Sequence, residues 1–311
     1  MKHIAILGAN SQIARDLIVS FSNTLETSLH LFSRRPDEVT KWLADEGFSV
    51  RYPSDEYAVF PDQEFDAVIN FVGVGNPAQA VEMGNAIFDL TLRFDEMVLT
   101  YLRTHSACRY LFLSSGAAYG SVFDAPVKRG TPAVVAINDL APHEWYGVAK
   151  LHAECRHRAN PDFSIFDIRV FNYFSRTQDI SARFLIADIL RAICHQTTLM
   201  TSPDHIVRDY LSPLDFFKMI NALLAAPATN VAVDCYSRAP IAKSDLLKAM
   251  QKAFGLRYEI VGTAKGINAT GNKPHYYSQN DIASQFGYQP DLTSMESILQ
   301  ESKLILAGCK K

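Results

Sequence analysis

Tyr146 and Lys150 stand four residues apart in Tyr146-Gly147-Val148-Ala149-Lys150, at the start of a segment with helical spacing. A helix there puts the phenol and the ammonium on one face. A phenol with an ordinary pKa of about 10 is protonated at neutral pH, and a neighbouring cation lowers that value by favouring phenolate. Such a pair can give or take a proton at a carbonyl or alcohol oxygen. Ser115, in Leu113-Ser114-Ser115-Gly116, ends an apolar run and offers a hydroxyl to the same oxygen, or else caps the strand end, which is the simpler role for Ser114. Ser115, Tyr146 and Lys150 are therefore the candidate catalytic residues.

Proton transfer at oxygen is half of a redox reaction at carbon, and the N-terminus carries a candidate for the other half. Gly8-Ala9-Asn10-Ser11-Gln12-Ile13-Ala14 sits where a first strand turns into a first helix, the place where a dinucleotide pyrophosphate meets bare backbone N–H groups. Ser11 and Ala14 stand where G-x-x-G-x-x-G has its later glycines, so position carries this reading more than the letters do. The second strand ends in Ser33-Arg34-Arg35-Pro36, with no acidic residue to hold a ribose 2′-hydroxyl. Two guanidiniums there suit a 2′-phosphate, so NADP(H) is preferred while NAD(H) stays possible; the alternative for Arg34 and Arg35 is a solvated basic turn. Phe71, Val72 and Gly73, in Asn70-Phe71-Val72-Gly73-Val74-Gly75, would let a cofactor lie against the backbone, and Lys150 would also hold the nicotinamide ribose.

These groups converge only if the intervening elements stack side by side. Ile4 to Leu7, Leu29 to Phe32, Ala67 to Phe71, Tyr110 to Leu113 and Phe163 to Ile168 are short apolar runs separated by helical spacing. Continuous rather than alternating apolar runs mean strands buried on both faces, which is an α/β, Rossmann-type doubly wound parallel sheet. After residue 173 the rhythm changes: helices from Ser181 to His195 and Asp215 to Ala225, a strand from Val231 to Tyr236, a helix from Ser244 to Phe254 and a strand from Tyr258 to Val261. A Gly/Asn-rich loop from Gly262 to Pro274 and short helical patterns near Asp281 and Met295 follow. Residues 1–173 and 209–238 are expected to form the dinucleotide-binding domain, and 174–208 and 239–311 a smaller C-terminal α/β substrate-binding lobe.

With 311 residues, 48% apolar and 20% charged, the chain can bury a sizeable core. A net charge of -3 without a Lys/Arg block argues against nucleic acid as a partner and for a small molecule. The apolar run behind Met1 is too short for a signal peptide, and no stretch of about 18 apolar residues suggests a membrane span. Five cysteines, Cys108, Cys155, Cys194, Cys235 and Cys309, include no C-x-x-C pair, so neither a disulfide framework nor a zinc site is readable and no metal is expected. A soluble cytoplasmic protein is the expectation.

Leu113-Ser114-Ser115 with Tyr119-Gly120, then Tyr146 to Lys150 with Leu151 and Ala153-Glu154, resembles in order and spacing the extended short-chain dehydrogenase/reductases, the family of nucleotide-sugar epimerases, dehydratases and ketoreductases. Arg169-Val170-Phe171-Asn172 resembles its R-x-F-N strand, Arg208-Asp209-Tyr210 with Asp215 its R-D-F/Y...D segment, and Asp281 to Pro290 its tail. The resemblance implies that Ser115 and Gly116 border the substrate and that Asn172 and Arg208 help hold its diphosphate; otherwise Arg208 pairs with Asp209 or another carboxylate. Gly116 and Ala117 stand where the family's 4,6-dehydratases carry Asp-Glu, and Ala117 and Arg176-Thr177 where reductases that epimerise at C3 and C5 carry Cys and His, so neither activity is expected. Ser175 and Arg176 replace a Gly-Pro, making Arg176 an extra phosphate contact or a solvated loop charge, and Thr91 replaces a cofactor-side asparagine. The resemblance also implies a homodimer through helices Phe88 to Leu102 and Tyr146 to His157, although Phe94, Val98 and Leu102 read more simply as a core-facing stripe.

Two enzyme readings follow: an NADP(H)-dependent ketoreductase of a 4-keto nucleotide-linked (deoxy)sugar, and a C4 epimerase that keeps NAD bound through both half-reactions. Arg34 and Arg35 favour the reductase, with Tyr146 as general acid, Ser115 polarising the oxygen and Lys150 lowering the phenol pKa. Other small carbonyl or alcohol substrates remain open. A reading from another class, a non-catalytic NADP-sensing regulatory protein, leaves the retained Ser115, Tyr146 and Lys150 without a purpose.

Overall fold

In a computed structural model that describes residues 1–22, 24, 27–48, 52–74, 80, 82–182, 184–262 and 273–309, the apolar runs become adjacent strands. In chain order these are β1 (Lys2–Leu7), β2 (Thr27–Phe32), β3 (Ser54–Asp55), β4 (Ala67–Asn70), β5 (Arg109–Ser115), β6 (Ile165–Val170) and β7 (Asn172–Tyr173). They continue as β8 (Thr198–Thr201), β9 (Val207–Arg208), β10 (Tyr210–Leu211), β11 (Asn230–Asp234), β12 (Ile241–Ala242), β13 (Arg257–Ile260) and β14 (His275–Tyr276). Seven of them form one sheet in the order β11-β6-β5-β4-β1-β2-β3, with every neighbouring pair parallel.

The two faces of this sheet bury alternate residues of the same strand. Ile4 and Ile6 pack on one side with Leu17, Ile18 and Phe21 of helix Gln12–Ser22 and with Phe216 and Met219 of helix Pro213–Ala225. Ala5 and Leu7 pack on the other with Val98, Leu99 and Leu102 of helix Ala86–Thr104 and Ala153 of helix Trp145–Arg158. Burial on both sides is why these strands read as unbroken apolar runs. Phe94, Val98 and Leu102 are buried, so the core-facing reading of that stripe describes them.

Beyond the sheet, Ile186, Leu190, Leu246, Met250 and Ile298 share a separate apolar cluster drawn from helices Leu185–Cys194, Lys243–Phe254 and Ser294–Gly308. Short strands stitch its edges in the orders β12-β9-β14, β13-β8 and β10-β7. The helix expected from Ser181 begins only at Leu185, because Phe184 is extended at φ -154° and ψ 158°. The pattern near Met295 grows into the 15-residue helix Ser294–Gly308, whose start is fixed by a capping box between Thr293 and Glu296. The pattern near Asp281 is a single 3₁₀ stretch, Ile282–Phe286, closed by left-handed Gly287. Two-residue β3 had no legible signal, and Gly75 and most of the loop between Gly262 and Pro274 lie outside the described residues.

One expectation is corrected: Cys194 and Cys309 are joined by a disulfide with Cα atoms 5.7 Å apart, tying the ends of helices Leu185–Cys194 and Ser294–Gly308. A pair separated by 115 residues leaves no spacing pattern to read. Among the described residues no helix is long and apolar enough to cross a membrane, and no group of His, Cys, Asp or Glu side chains could hold a metal.

Candidate active site

β5 delivers Ser115 to the carboxyl edge of the sheet, where ligands of such folds bind. Ser115 is extended and its Oγ accepts from Ala117 N at 3.1 Å, turning the chain into the 3₁₀ stretch Gly116–Tyr119. Helix Trp145–Arg158 starts against this turn, and a Cβ on Gly147 would lie 2.4 Å from the Ala117 carbonyl oxygen, so only glycine allows the approach. Tyr146 is thereby held in hydrogen-bonding contact with Ser115. One turn on, Lys150 is buried, with Nζ donating to the Leu113 carbonyl at 2.7 Å and lying 4.4 Å from the Phe112 ring centre and 5.8 Å from that of Tyr146. The three residues expected to act together do converge in space.

A buried ionic frame stands behind them. Ser114 donates to Glu154 at 2.6 Å, the strand-end role expected of it, and Glu154 is bound by Arg169 through Nε at 3.0 Å. Arg169 also faces Asp234 at 3.7 Å, and Asp234 accepts from Tyr119 at 3.0 Å and Ser278 at 2.6 Å. The R-x-F-N arginine thus joins β5, β6, β11 and helix Trp145–Arg158. Deeper along that helix, His157 is fully buried between Asp167 at 2.5 Å and Asp95 at 2.6 Å. Burial alone would lower its pKa, but the two carboxylates outweigh it and push His157 up to about 9.

The electrostatics differ from the expectation for Tyr146. Burial raises its pKa above the ordinary tyrosine value, Tyr276 adds to the rise and only the Ser115 hydrogen bond opposes it. Lys150 does not lower it in the protein alone, because burial pulls the ammonium itself down to about 8 against the pull of Asp95, Glu154 and Asp167. Tyr146 therefore rests protonated, ready to donate.

A second phenol enters the site from β14. Tyr276 Oη lies 3.4 Å from Ser115 Oγ, and its ring packs edge-on to Phe123 at 4.7 Å. β14, which carries Tyr276, pairs with β9, which carries Arg208. Arg208 is buried and donates to the carbonyls of Val207 at 2.9 Å and Lys273 at 2.6 Å, with no carboxylate partner among the described residues. It does not pair with Asp209, whose oxygens accept from Ser237 N and Ser294. Lys273 Nζ lies 4.9 Å from the Tyr276 ring, and burial together with Arg208 lowers its pKa to about 8. Neither Tyr276 nor Lys273 sits in a motif that sequence reasoning could single out.

The remaining expected substrate contacts have structural partners. Asn172 donates to the Asp209 carbonyl at 3.1 Å and the Tyr276 carbonyl at 3.4 Å, bridging the strands that carry Arg208 and Tyr276. Gly116 backs onto the Phe171 ring, which a Cβ would strike at 2.4 Å. Arg176 pairs with Glu301, its Nη2 lying 2.9 Å from the carboxylate. Thr91 donates to Ile87 within its own helix.

At the other end, Gly8 occupies the left-handed region at φ +80°, and a Cβ there would lie 2.9 Å from Val72 N. The turns after β1 and β4 therefore meet backbone to backbone at the sheet's switch point, where ligands of such folds bind. Ser11 Oγ accepts from Ala14 N at 3.3 Å and caps the helix that Ile13 enters. Gln12 turns instead to Ser175 at 2.9 Å. Ser33 is buried, accepting from Asn10 Nδ2 at 3.3 Å and from Arg35 N at 2.9 Å. Arg34 is exposed, whereas the Arg35 guanidinium pairs with Glu38 at 2.6 Å. Tyr57, unmarked in the sequence, lies against the Gly8 backbone and Arg34, and burial pushes its phenol up to about 12. Gly73, beyond β4, lies so near the Lys150 ammonium that a Cβ would be 3.4 Å from Nζ, joining the two ends of the crevice.

Sheet order, switch-point glycine and paired tyrosine and lysine define an extended Rossmann-type protein. Residues 4–237 match the profile of the NAD dependent epimerase/dehydratase family, and the chain belongs to that family. It is 27% identical over 157 residues to UDP-glucose 4-epimerase 4 of Oryza sativa subsp. japonica, a stretch covering 49% of this chain and 41% of that protein. The match thus spans less than half the relative's length. Among solved structures, UDP-glucose 4-epimerase from Bifidobacterium longum in complex with NAD+ and UDP superposes with a TM-score of 0.76 at 18% identity, covering 98% of each chain. RMD from Pseudomonas aeruginosa complexed with NADPH gives a TM-score of 0.75 at 18% identity, covering 99% of this chain and 100% of that one. These likenesses establish the fold, and they include both forms of the cofactor.

Proposed function

We propose that the chain moves hydrogen at a secondary alcohol or ketone carbon of a nucleotide-linked sugar, with Tyr146 exchanging the proton at oxygen. The observation that carries this reading is the meeting of Ser115, Tyr146 and Tyr276 beside Arg208 and Lys273. A buried cation without a carboxylate is costly unless an anion completes it, and a diphosphate next to a sugar oxygen would use both parts of the site.

Gly8, Asn10, Ser11, Ile13, Ser33, Arg34, Phe71, Val72, Gly73 and Lys150 would hold a nicotinamide dinucleotide, and Gln12 and Arg35 contribute only if they leave their present partners. When bound, that group supplies or accepts the hydride at carbon. Ser115 donates to the reacting oxygen, and Tyr146, kept protonated by burial, gives its proton to a ketone. In the opposite direction Tyr146 must first be a phenolate, which the Lys150 charge favours once a further cation offsets the burial.

The names of the curated relatives make 4-epimerisation the first reading, hydrogen leaving and returning at one carbon without net redox change. A second reading, net reduction of a 4-keto sugar by NADPH, is favoured by Arg34 and the absence of an acidic residue after β2. Incubation with UDP-glucose and with 4-keto sugar nucleotides separates them. Inversion without net cofactor consumption gives the epimerase, stoichiometric NADPH oxidation gives the reductase, and neither reaction with any nucleotide sugar sinks both. The diphosphate assignment is tested apart from turnover: Arg208→Ala should weaken UDP binding by about 10- to 100-fold, the loss of charge-assisted hydrogen bonds.

A homodimer through helices Ala86–Thr104 and Trp145–Arg158 would use outward residues such as exposed Leu92 and half-buried Leu151, since the Phe94, Val98 and Leu102 stripe is turned inward. Light scattering at micromolar concentration tests it.

A further inference from the structure

We propose that Arg15 is the residue that selects a 2′-phosphomonoester on the adenosine end of the cofactor, with Trp42 as the surface that orients its guanidinium. The inference rests on the dinucleotide reading of the Gly8 turn and goes beyond it in assigning the form of nucleotide and the residue that chooses it. Arg15 belongs to the first turn of helix Gln12–Ser22, where a charged residue on an amphipathic helix would ordinarily face water. Its guanidinium carbon instead lies 5.0 Å from the ring centre of Trp42 in helix Pro36–Asp45. An arginine resting on an indole face is held by cation–π attraction while its N–H edge stays free to donate.

That edge points along the turn after β1. One Nη of Arg15 donates to Asn10 Oδ1 at 3.3 Å, Asn10 Nδ2 donates to Ser33 Oγ at 3.3 Å, and Ser33 also accepts the Arg35 backbone N–H at 2.9 Å. The side-chain relay from Arg15 thus ends at the tip of β2, where the ribose 2′-position of a dinucleotide falls in this fold. Arg15 Nε is buried without a hydrogen-bond partner, an uncommon state for a charged donor, so the guanidinium has not found its full set of acceptors within the protein. No carboxylate pairs with Arg15 or Arg34 among the described residues, whereas Arg35 is neutralised by Glu38.

Among the described residues the site therefore offers two guanidiniums without a carboxylate partner, one fixed by Trp42 and one exposed, with Asn10 and Ser33 between them. A free 2′-hydroxyl uses little of this, because one neutral hydrogen bond does not compensate two cations. A phosphate dianion matches their charge and can take a bidentate contact from Arg15.

Binding of 2′,5′-ADP and of 5′-AMP to the intact chain, followed by calorimetry, tests the assignment without turnover. The wild-type chain should prefer 2′,5′-ADP, and Arg15→Gln should weaken 2′,5′-ADP by about tenfold or more while leaving 5′-AMP unchanged. Retained 5′-AMP binding shows that the variant still folds. Arg15→Lys should recover part of the loss through its charge. If Arg15→Gln keeps the wild-type preference, or weakens both ligands alike, the assignment to Arg15 is wrong although the 2′-phosphate reading survives. If the wild-type chain shows no preference, that reading falls with it; if neither ligand binds, so does the dinucleotide reading.

Discussion

Tyr276 Oη lies 3.4 Å from Ser115 Oγ although the two residues are 161 positions apart, so a side chain from β14, outside the seven-stranded sheet, completes the hydroxyl cluster begun at the end of β5. Tyr276 is buried, wedged edge-on to Phe123 and near Phe171 at 5.1 Å between ring centres. A substrate oxygen approaching Ser115 must share it with this phenol or take its place. Tyr276→Phe keeps the ring packing and removes only the hydroxyl. The expected effect is a fall in kcat/KM of about tenfold, the scale of one hydrogen bond, with dinucleotide affinity unaltered. Steady-state kinetics of the variant decide it, and wild-type values would reduce Tyr276 to a packing group.

Tyr146 and Lys150 make a sharper prediction because their charges are set by burial. Tyr146→Phe should lower kcat by about 100- to 10,000-fold, the usual worth of a positioned acid–base group, while dinucleotide binding persists. In the free protein Lys150 is pulled from its ordinary value down to about 8 by burial, so its ammonium is lost as pH rises through that value. Because kcat/KM reports groups of the free enzyme, ketone reduction should decline above pH ~8 as the charge beside the phenol disappears. The profile of Lys150→Met should lack this limb. A limb that survives the substitution would assign it to another group, with Lys273, also near 8, the first candidate.

What could be read from the chain and what could not divides along sequence distance. β1, β2, β4, β5 and β6 were legible because strands buried on both faces are continuously apolar, and the Tyr146, Lys150 pair because helical spacing is local. Gly8 was legible because the turn after β1 leaves no room for a side chain against Val72. Tyr276 and Lys273 escaped because they reach the site through the pairing of β14 with β9, which no local pattern encodes. Arg15 carries no local signal, because the ring it rests on, Trp42, belongs to the next helix. The pairing of Arg176 with Glu301 was hidden for a similar reason, since Glu301 comes from 125 residues away.

The disulfide between Cys194 and Cys309 should contribute to stability. Closing a loop across 115 residues restricts the unfolded chain, and native cross-links of this kind contribute about 2–4 kcal/mol. Helix Ser294–Gly308, which it anchors, also supplies Ser294 to Asp209 and Glu301 to Arg176. Reductant should lower the melting temperature of the wild-type chain. Cys309→Ser should melt at that lower temperature whether or not reductant is present. A wild-type melt indifferent to reductant would show that the two thiols are not joined in solution.

His157 provides the test of the ionic frame around helix Trp145–Arg158. It is fully buried between Asp95 and Asp167, and those carboxylates raise it from an ordinary 6.5 to about 9 despite the opposing effect of burial. A pKa raised on folding means that the folded state binds the extra proton. The resulting stabilisation is complete below pH ~6.5 and disappears as pH climbs through about 9, a total on the order of 3 kcal/mol. Lys150 acts in the opposite direction between about 8 and its ordinary 10.5, since its buried charge is relieved as pH rises. The two are separated by comparing variants. Urea unfolding of the wild type and of His157→Gln at pH 6 and pH 9.5 should show a loss of about 3–5 kcal/mol at the lower pH, where the variant leaves two carboxylates without their imidazolium. The gap should shrink at the higher pH, where the wild type has also lost that proton. A gap independent of pH would mean that His157 is neutral in the fold and that Arg156 and Arg158, which bind Asp95 and Asp167 from the same helix, compensate the carboxylates alone.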